Sequence, residues 1–176
     1  MPYDVRAVAN FFLDRAADAG QKLDHMKLQK LVYIAHGWYL AVTGEPLIYE
    51  RVEAWPYGPV IPDLYHQLKQ HGRSPIEERL SVVDLETFEP IPASVYQGQD
   101  AVAVARSVDI LQRVWARYGQ LTALQLSTLT HKPGTPWDAV AKDNATTEPR
   151  GFVISDDRIR DHYVTLAAER RKARVG

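Results

Sequence analysis

The sequence predicts a mainly α-helical fold: a single domain over residues 1–176, with about six helices and a small β-containing insertion at about residues 47–92. Three observations predict it. Apolar residues recur at intervals of three and four along most of the chain, as they do on one face of a helix. Prolines cluster in the insertion, where they exclude a helix. The 176 residues, of which 45% are hydrophobic, suffice for one packed core.

The first two helices are predicted from their apolar faces and from their ends. The helix over residues 4–19 begins at Asp4, a typical N-cap, and ends before Gly20. The second helix runs from about Asp24 to Gly44, and apolar residues cover more than half of its surface. A helix with so broad an apolar surface belongs in the centre of a domain. The spacing of three of its residues places them in the core: Leu28, Leu31 and Ala35.

The insertion is punctuated by four prolines: Pro46, Pro56, Pro59 and Pro62. The apolar pieces at residues 47–49 and Val52–Trp55 are predicted to be short strands, since this density of proline excludes a helix. Pro62 suits the first turn of a helix, so a third helix follows and ends at Gly72. Residues 73–97 show no helical period and are predicted to form a loop region that holds one or two strands.

The second half of the chain returns to helical spacing. A fourth helix is predicted over Ala101–Tyr118, and its buried row is Val104, Val108, Leu111, Val114, Trp115 and Tyr118. Thr122 caps a short helix that extends through Leu129, and a further helical turn begins near Pro136. A C-terminal helix over residues 155–174 starts at Ser155, and two aspartates lie in its first turn.

Composition excludes several classes of protein. The absence of cysteine rules out disulfides, thiolate chemistry and cysteine-bound zinc. The longest apolar run, residues 31–42, is well short of the roughly 20 residues that cross a bilayer. The N-terminus lacks the features of a secretory signal, so we expect a cytoplasmic protein. The net charge of −1 argues against nucleic acid as a partner. Basic residues are concentrated only near the C-terminus: Arg158, Arg160, Arg170, Arg171, Lys172 and Arg174.

No catalytic signature is present, so we expect no enzymatic activity, no catalytic residues, no cofactor and no metal. The Gly-rich phosphate loop, the Gly-x-Ser-x-Gly elbow and the His-Glu-x-x-His motif are all absent. His36 lies on the apolar helix and is predicted to be an interior residue that makes a hydrogen bond. His131 is predicted to bond the backbone at a helix end. A hydrolase stays open as an alternative if His36, His66 or His131 meets a carboxylate, such as Asp63 or Asp138, in an open cleft.

The segment from Glu53 to Pro62 is the least ordinary in the chain. It holds two large aromatics, Trp55 and Tyr57, among three prolines and Gly58, which makes a stiff turn. Rigid aromatic side chains lose little conformational entropy on contact, so an exposed turn of this kind would suit partner binding. The other interpretation, which composition alone favours, is that both aromatics fill the core.

Three motifs together are specific. Met-Lys-Leu-Gln-Lys-Leu-Val-Tyr-Ile-Ala at residues 26–35 is followed by Glu-Ala-Trp-Pro-Tyr-Gly-Pro-Val at residues 53–60 and Leu-Tyr at residues 64–65. A third piece has Leu-Ser at residues 126–127, His131 and Pro-Trp at residues 136–137. This combination resembles the Panacea antitoxin domain, the SocA-like or GepA-like family of bacterial and phage-associated proteins. The resemblance covers about residues 4–142 and leaves out the C-terminal helix.

The resemblance implies an antitoxin of a toxin–antitoxin pair, a non-catalytic protein that neutralises its cognate protein toxin by direct contact. It also implies an alternative, a proteolytic adaptor that presents the toxin to the ClpXP protease. It identifies no particular toxin, because the domain is paired with many unrelated types. A DNA-binding regulator is a further alternative from another class, and a steep dependence of promoter binding on salt would reveal it.

The candidate toxin-binding residues follow from the aromatic segment. Trp55, Tyr57 and Tyr65 are the expected anchors, and Arg51 and Glu53 the expected polar rim. The other motif residues are expected to be structural: Lys27, Leu28, Gln29, Lys30, Leu31, Gly58, Pro59, His131 and Trp137.

Overall fold

The computed structural model describes residues 1–175, which form one mainly helical domain. Within those residues there are seven α-helices: α1 (Val5–Asp18), α2 (His25–Thr43), α3 (Pro62–Leu68), α4 (Ala101–Tyr118), α5 (Ala123–His131), α6 (Pro136–Asp143) and α7 (Asp156–Val175). Five short strands accompany them: β1 (Val52–Trp55), β2 (Gly58–Val60), β3 (Ser81–Val83), β4 (Pro90–Pro92) and β5 (Phe152–Ile154). A 3-10 turn, Lys69–His71, extends α3.

Helix α2 lies at the centre of the domain, as its broad apolar surface predicted. It packs against α1, α4, α5 and α7, and residues 28–37 are all buried. Asp24 caps its start by accepting a hydrogen bond from the Lys27 backbone N–H at 2.7 Å. Gly44 ends it in the left-handed conformation, with φ of 75°. The core therefore forms around one helix rather than between two layers.

The first sheet has the strand order β2–β1–β5, and both pairings are antiparallel. Trp55 faces Gly58 across the β1–β2 pair, so the connection is a tight turn. Val52 faces Ile154 across the β1–β5 pair. This pairing joins the segment before α7 to the insertion. The sequence indicated no strand at residues 152–154, because three residues are too few to show a period.

The prediction of a strand at residues 47–49 was wrong. The segment makes only one isolated parallel bridge, between Tyr3 and Ile48. Its apolar residues, Leu47 and Ile48, are buried in the core instead. The predicted loop at residues 73–97 does hold two strands, β3 and β4, which pair with each other. The buried Asn10 fixes this hairpin on α1, since its amide bonds the backbone on both sides: Leu80 N–H at 2.8 Å, Leu80 O at 2.7 Å and Ala93 O at 2.8 Å.

The second half of the chain follows the predicted helices closely. The expected row on α4 is buried at Leu111, Val114 and Tyr118 and half-buried at its other members, Val104, Val108 and Trp115. The turn expected near Pro136 is a full helix, α6, with Thr135 as its N-cap. Among residues 1–175, no helix is both long and apolar enough to cross a membrane.

The central position of α2 makes Leu31 a sensitive site. Leu31→Ala should lower the free energy of unfolding by about 2–5 kcal/mol, because the fully buried side chain leaves a cavity behind. Leu124→Ala is the matched control: it is the same change at an exposed leucine and should alter the free energy by less than about 0.5 kcal/mol. Denaturant unfolding monitored by circular dichroism gives both values, and equal losses would contradict the central role of α2.

Candidate functional site

The most distinctive surface feature is the turn between β1 and β2, residues 55–58, here called the aromatic turn. Tyr57 at its tip is 72% exposed, Pro56 is exposed, and Trp55 is half-buried. Gly58 has φ of 103°, a conformation that favours glycine. A Cβ atom at Gly58 would also lie 2.9 Å from Lys30 Nζ, so the turn closes directly over the lysine. The interpretation that both aromatics fill the core is therefore wrong for Tyr57.

Two side chains from the second half of the chain hold the aromatic turn from one side. Ser127 on α5 donates its hydroxyl proton to the carbonyl of Tyr57 at 2.8 Å. Trp137 on α6 donates its indole N–H to the carbonyl of Trp55 at 2.7 Å. Both bonds are made to backbone carbonyls of the turn and not to its aromatic side chains.

Two side chains from α2 hold the following residues. Lys30 Nζ donates to the carbonyl of Pro59 at 2.8 Å. Gln29 bonds both backbone groups of Ile61: its Oε1 accepts from the N–H at 3.0 Å and its Nε2 donates to the carbonyl at 3.1 Å. The carbonyls of residues 55, 57, 59 and 61 are thus each bonded by a side chain. We call the four donors the clamp: Gln29, Lys30, Ser127 and Trp137.

The other motif residues support the clamp. His131 Nδ1 donates to the carbonyl of Ser127 at 2.6 Å, which confirms the predicted backbone bond, and its ring packs edge-on against Trp137 at 5.3 Å between centroids. Lys27 Nζ donates to the carbonyl of Gly119 at 2.6 Å. Leu28 and Leu31 are fully buried. The three motifs, far apart along the chain, therefore converge on one turn.

The predicted anchors Trp55, Tyr57 and Tyr65 line one groove of about 210 Å³. The rings of Trp55 and Tyr65 lie 4.9 Å apart, and the guanidinium of Arg150 lies 5.2 Å from the centre of the Trp55 ring. No sequence motif indicates Arg150, because it reaches the groove only through the pairing of β5 with β1. The arrangement offers an aromatic groove with the Arg150 cation at its edge.

The two residues expected at the polar rim differ in exposure. Arg51 is exposed, but Glu53 is only 6% exposed. The Glu53 carboxylate accepts from Arg51 Nε at 2.7 Å and from the indole N–H of Trp55 at 2.9 Å. Burial alone would raise the pKa of Glu53, but these hydrogen bonds outweigh burial and lower it. Glu53 is therefore placed to orient Trp55 rather than to meet a partner.

One histidine of the hydrolase alternative, His36, contacts a carboxylate. His36 is fully buried, and its Nε2 lies 3.0 Å from Asp156 Oδ1, a contact that joins α2 to the start of α7. This is the interior hydrogen bond that the sequence predicted. Neither carboxylate named for a hydrolase, Asp63 or Asp138, forms an ion pair with a histidine in the described part of the chain. No cluster of three or more metal-ligating side chains occurs within residues 1–175.

Lys30 is the one ionisable side chain of the clamp. It is 1% exposed, and no carboxylate of residues 1–175 forms an ion pair with it. Burial lowers the pKa of Lys30 to about 7 from an ordinary value of 10.5. Between these two pH values the unfolded chain holds a proton that the folded protein has released. The free energy of unfolding therefore increases as the pH rises from about 7 towards 10.5. It decreases again as the pH is lowered to 7.

Lys30→Met should remove this pH dependence. Relative to the variant, the wild-type protein should gain stability from pH 7 to pH 9, with a slope on the order of 1 kcal/mol per pH unit. Denaturant unfolding at several pH values measures the slope. Lys69→Met, at an exposed lysine of the 3-10 turn, should keep the wild-type slope. Parallel curves for the wild type and Lys30→Met would show that Lys30 stays charged in the folded protein.

Comparison with known proteins places the chain in a family. Residues 28–138 match the family described as Antitoxin SocA-like, Panacea domain. The chain is 35% identical over 160 residues to a protein named Antitoxin SocA from Caulobacter vibrioides (strain NA1000 / CB15N), and the match covers 91% of this chain and 82% of that protein. No solved structure matches the chain significantly. The family match spans the whole clamp and the aromatic turn, and the chain belongs to the SocA-like, Panacea-domain antitoxin family.

Proposed function

We propose that this protein is an antitoxin that neutralises a cognate protein toxin by direct binding, without catalysing a reaction, and that the aromatic turn lies at the centre of the interface. The observation that carries the proposal is the exposure of Tyr57 on a backbone held by the clamp. The family membership and the name of the Caulobacter relative support the antitoxin role.

The physical argument is one of preorganisation. Binding energy in protein interfaces concentrates in a few aromatic and arginine residues that are desolvated at the centre. Ordering a mobile loop on binding would reduce the net affinity, and the clamp has already ordered this one. Tyr57 can therefore contribute most of its contact energy to the complex.

The surface also indicates what the partner must present. Trp55 and Tyr65 offer aromatic rings, and Arg150 offers a cation that lies over the Trp55 ring. An apolar side chain of the toxin would fill the groove, and a carbonyl or carboxylate beside it would meet Arg150. Arg51, directly before β1, supplies a second exposed cation, although its guanidinium is already bonded to Glu53.

Delivery of the toxin to the ClpXP protease is the alternative mode, and it requires the same first contact. The two modes differ in what happens to the toxin afterwards. Occlusion leaves the amount of toxin in the cell unchanged, whereas delivery lowers it when the protease is active. Quantifying the toxin in cells that express both proteins, with and without the protease, therefore separates the modes.

Tyr57→Ala tests the binding surface. The variant should bind the toxin encoded by the neighbouring gene about 10- to 100-fold more weakly, as expected for a central interface tyrosine worth about 1.4–2.8 kcal/mol. Its melting temperature should not change, because the side chain is 72% exposed. Isothermal titration calorimetry measures the affinity, and growth of cells that express both proteins measures the protection.

Tyr96→Ala is the matched control, since Tyr96 is also largely exposed but lies outside the groove. It should bind and protect as the wild type does. Trp55 is less suitable for this test, because its indole bonds Glu53 and its loss would also disturb the fold. Full protection by Tyr57→Ala would exclude the aromatic turn as the binding surface, and absence of binding by the wild type would exclude the pairing itself.

A further inference from the structure

Two surfaces of this chain, on different elements, have complementary shape and charge. The first is the tip of the β3–β4 hairpin, residues 84–89. Leu85 and Phe88 at the tip are 84% and 78% exposed, and Glu86 and Glu89 are exposed beside them. The tip is thus a protruding pair of large apolar side chains with acidic neighbours.

The hairpin tip is an ordered turn rather than a loose loop. The carboxylate of Asp84 accepts from the backbone N–H groups of Glu86 and Thr87, at 3.0 and 2.8 Å. The backbone closes the turn with bonds from Phe88 N–H to Asp84 O at 2.8 Å and from Asp84 N–H to Glu89 O at 2.9 Å. Phe88 has φ of 58°, which is strained for a bulky side chain. The fold therefore holds an aromatic ring in water at the expense of backbone strain.

The second surface is a groove between α2, α4 and α7, here called the α4–α7 groove. Its floor is apolar, formed by Trp38, Val42, Ile110 and Val114, and its volume is about 190 Å³. An apolar cavity of about 150 Å³ binds benzene, so the groove has room for a phenyl ring. Val42 in the floor is itself exposed. The groove is therefore an apolar surface that nothing in the chain covers within residues 1–175.

The α4–α7 groove is edged only by cations: Arg113, Arg117 and Arg170. Arg113 pairs with Asp109 at 2.8 Å, but neither Arg117 nor Arg170 has a carboxylate partner in the described part of the chain. Arg170 lies over the Trp38 ring at 4.9 Å from its centre and donates to the Tyr118 hydroxyl at 2.9 Å, so its charge is fixed at the edge. These cations are available to acidic groups from outside.

We propose that the α4–α7 groove receives the hairpin tip of a second copy of this chain, in a reciprocal pair. The Phe88 ring would enter the apolar floor, and Glu86 and Glu89 would meet Arg113 and Arg117. Within one chain the hairpin is fixed on α1 through Asn10, so its tip stays exposed and is free for another molecule. A second copy carries both complementary surfaces, and symmetric pairing satisfies both grooves at once.

Sedimentation velocity over a range of protein concentrations tests this pairing. The wild type should shift from the mass of one chain towards a limit of two chains as the concentration rises. Phe88→Asn should keep the mass of one chain at all concentrations. Its melting temperature should be equal or higher, because asparagine tolerates the positive φ better than phenylalanine does. Loss of pairing in this variant would therefore not reflect unfolding.

Charge reversal then tests which surfaces meet. Arg113→Glu/Arg117→Glu and Glu86→Lys/Glu89→Lys should each lose the pairing alone and regain it when the two proteins are mixed. Arg106→Glu, on the same helix but outside the groove, should pair as the wild type does. A wild type that keeps the mass of one chain throughout, growth beyond two chains, unchanged pairing by Phe88→Asn, or no pairing in the mixture would each overturn the proposal.

Discussion

Hydrogen bonds from side chains to the carbonyls of one turn are the interaction on which the candidate site depends. Residues 55–61, the aromatic turn and the three residues after it, include two prolines and so have few backbone donors, and their carbonyls need partners from elsewhere. Helices α2, α5 and α6 supply those partners through the clamp, which ties the insertion to the helical core. The same bonds that complete the packing therefore also determine which side chains of the turn face the solvent.

The helices could be predicted from the sequence because their apolar residues repeat every three to four positions and their caps are local. As predicted, Asp4, Asp24 and Thr122 are the N-caps of α1, α2 and α5. Features that depend on distant pairing could not be predicted. Leu47 and Ile48 are apolar because the core buries them, and β5 exists because β1 offers it an edge.

The candidate site shows the same division. The motifs identified Gln29, Lys30 and Trp137, but their partners are backbone carbonyls, which carry no residue-specific signal in a sequence. The exposure of Tyr57 depends on where those carbonyls point, and the burial of Glu53 depends on its bonds to Arg51 and Trp55. Local composition indicates neither the exposure of Tyr57 nor the burial of Glu53. Only the folded arrangement distinguishes the exposed aromatic residue from the carboxylate that supports its neighbour.

Strand β5 and helix α7 are synthesised after the other helices and strands of the domain, yet they complete the surroundings of α2 and β1. His36 and Asp156, separated by 120 residues, form one of the contacts that close the domain. During translation, which proceeds at about 5–20 residues per second, the apolar side of α2 that α7 covers stays open until the C-terminal segment emerges. A chain that stops before α7 therefore leaves this apolar side of α2 exposed, and the domain closes only when α7 docks.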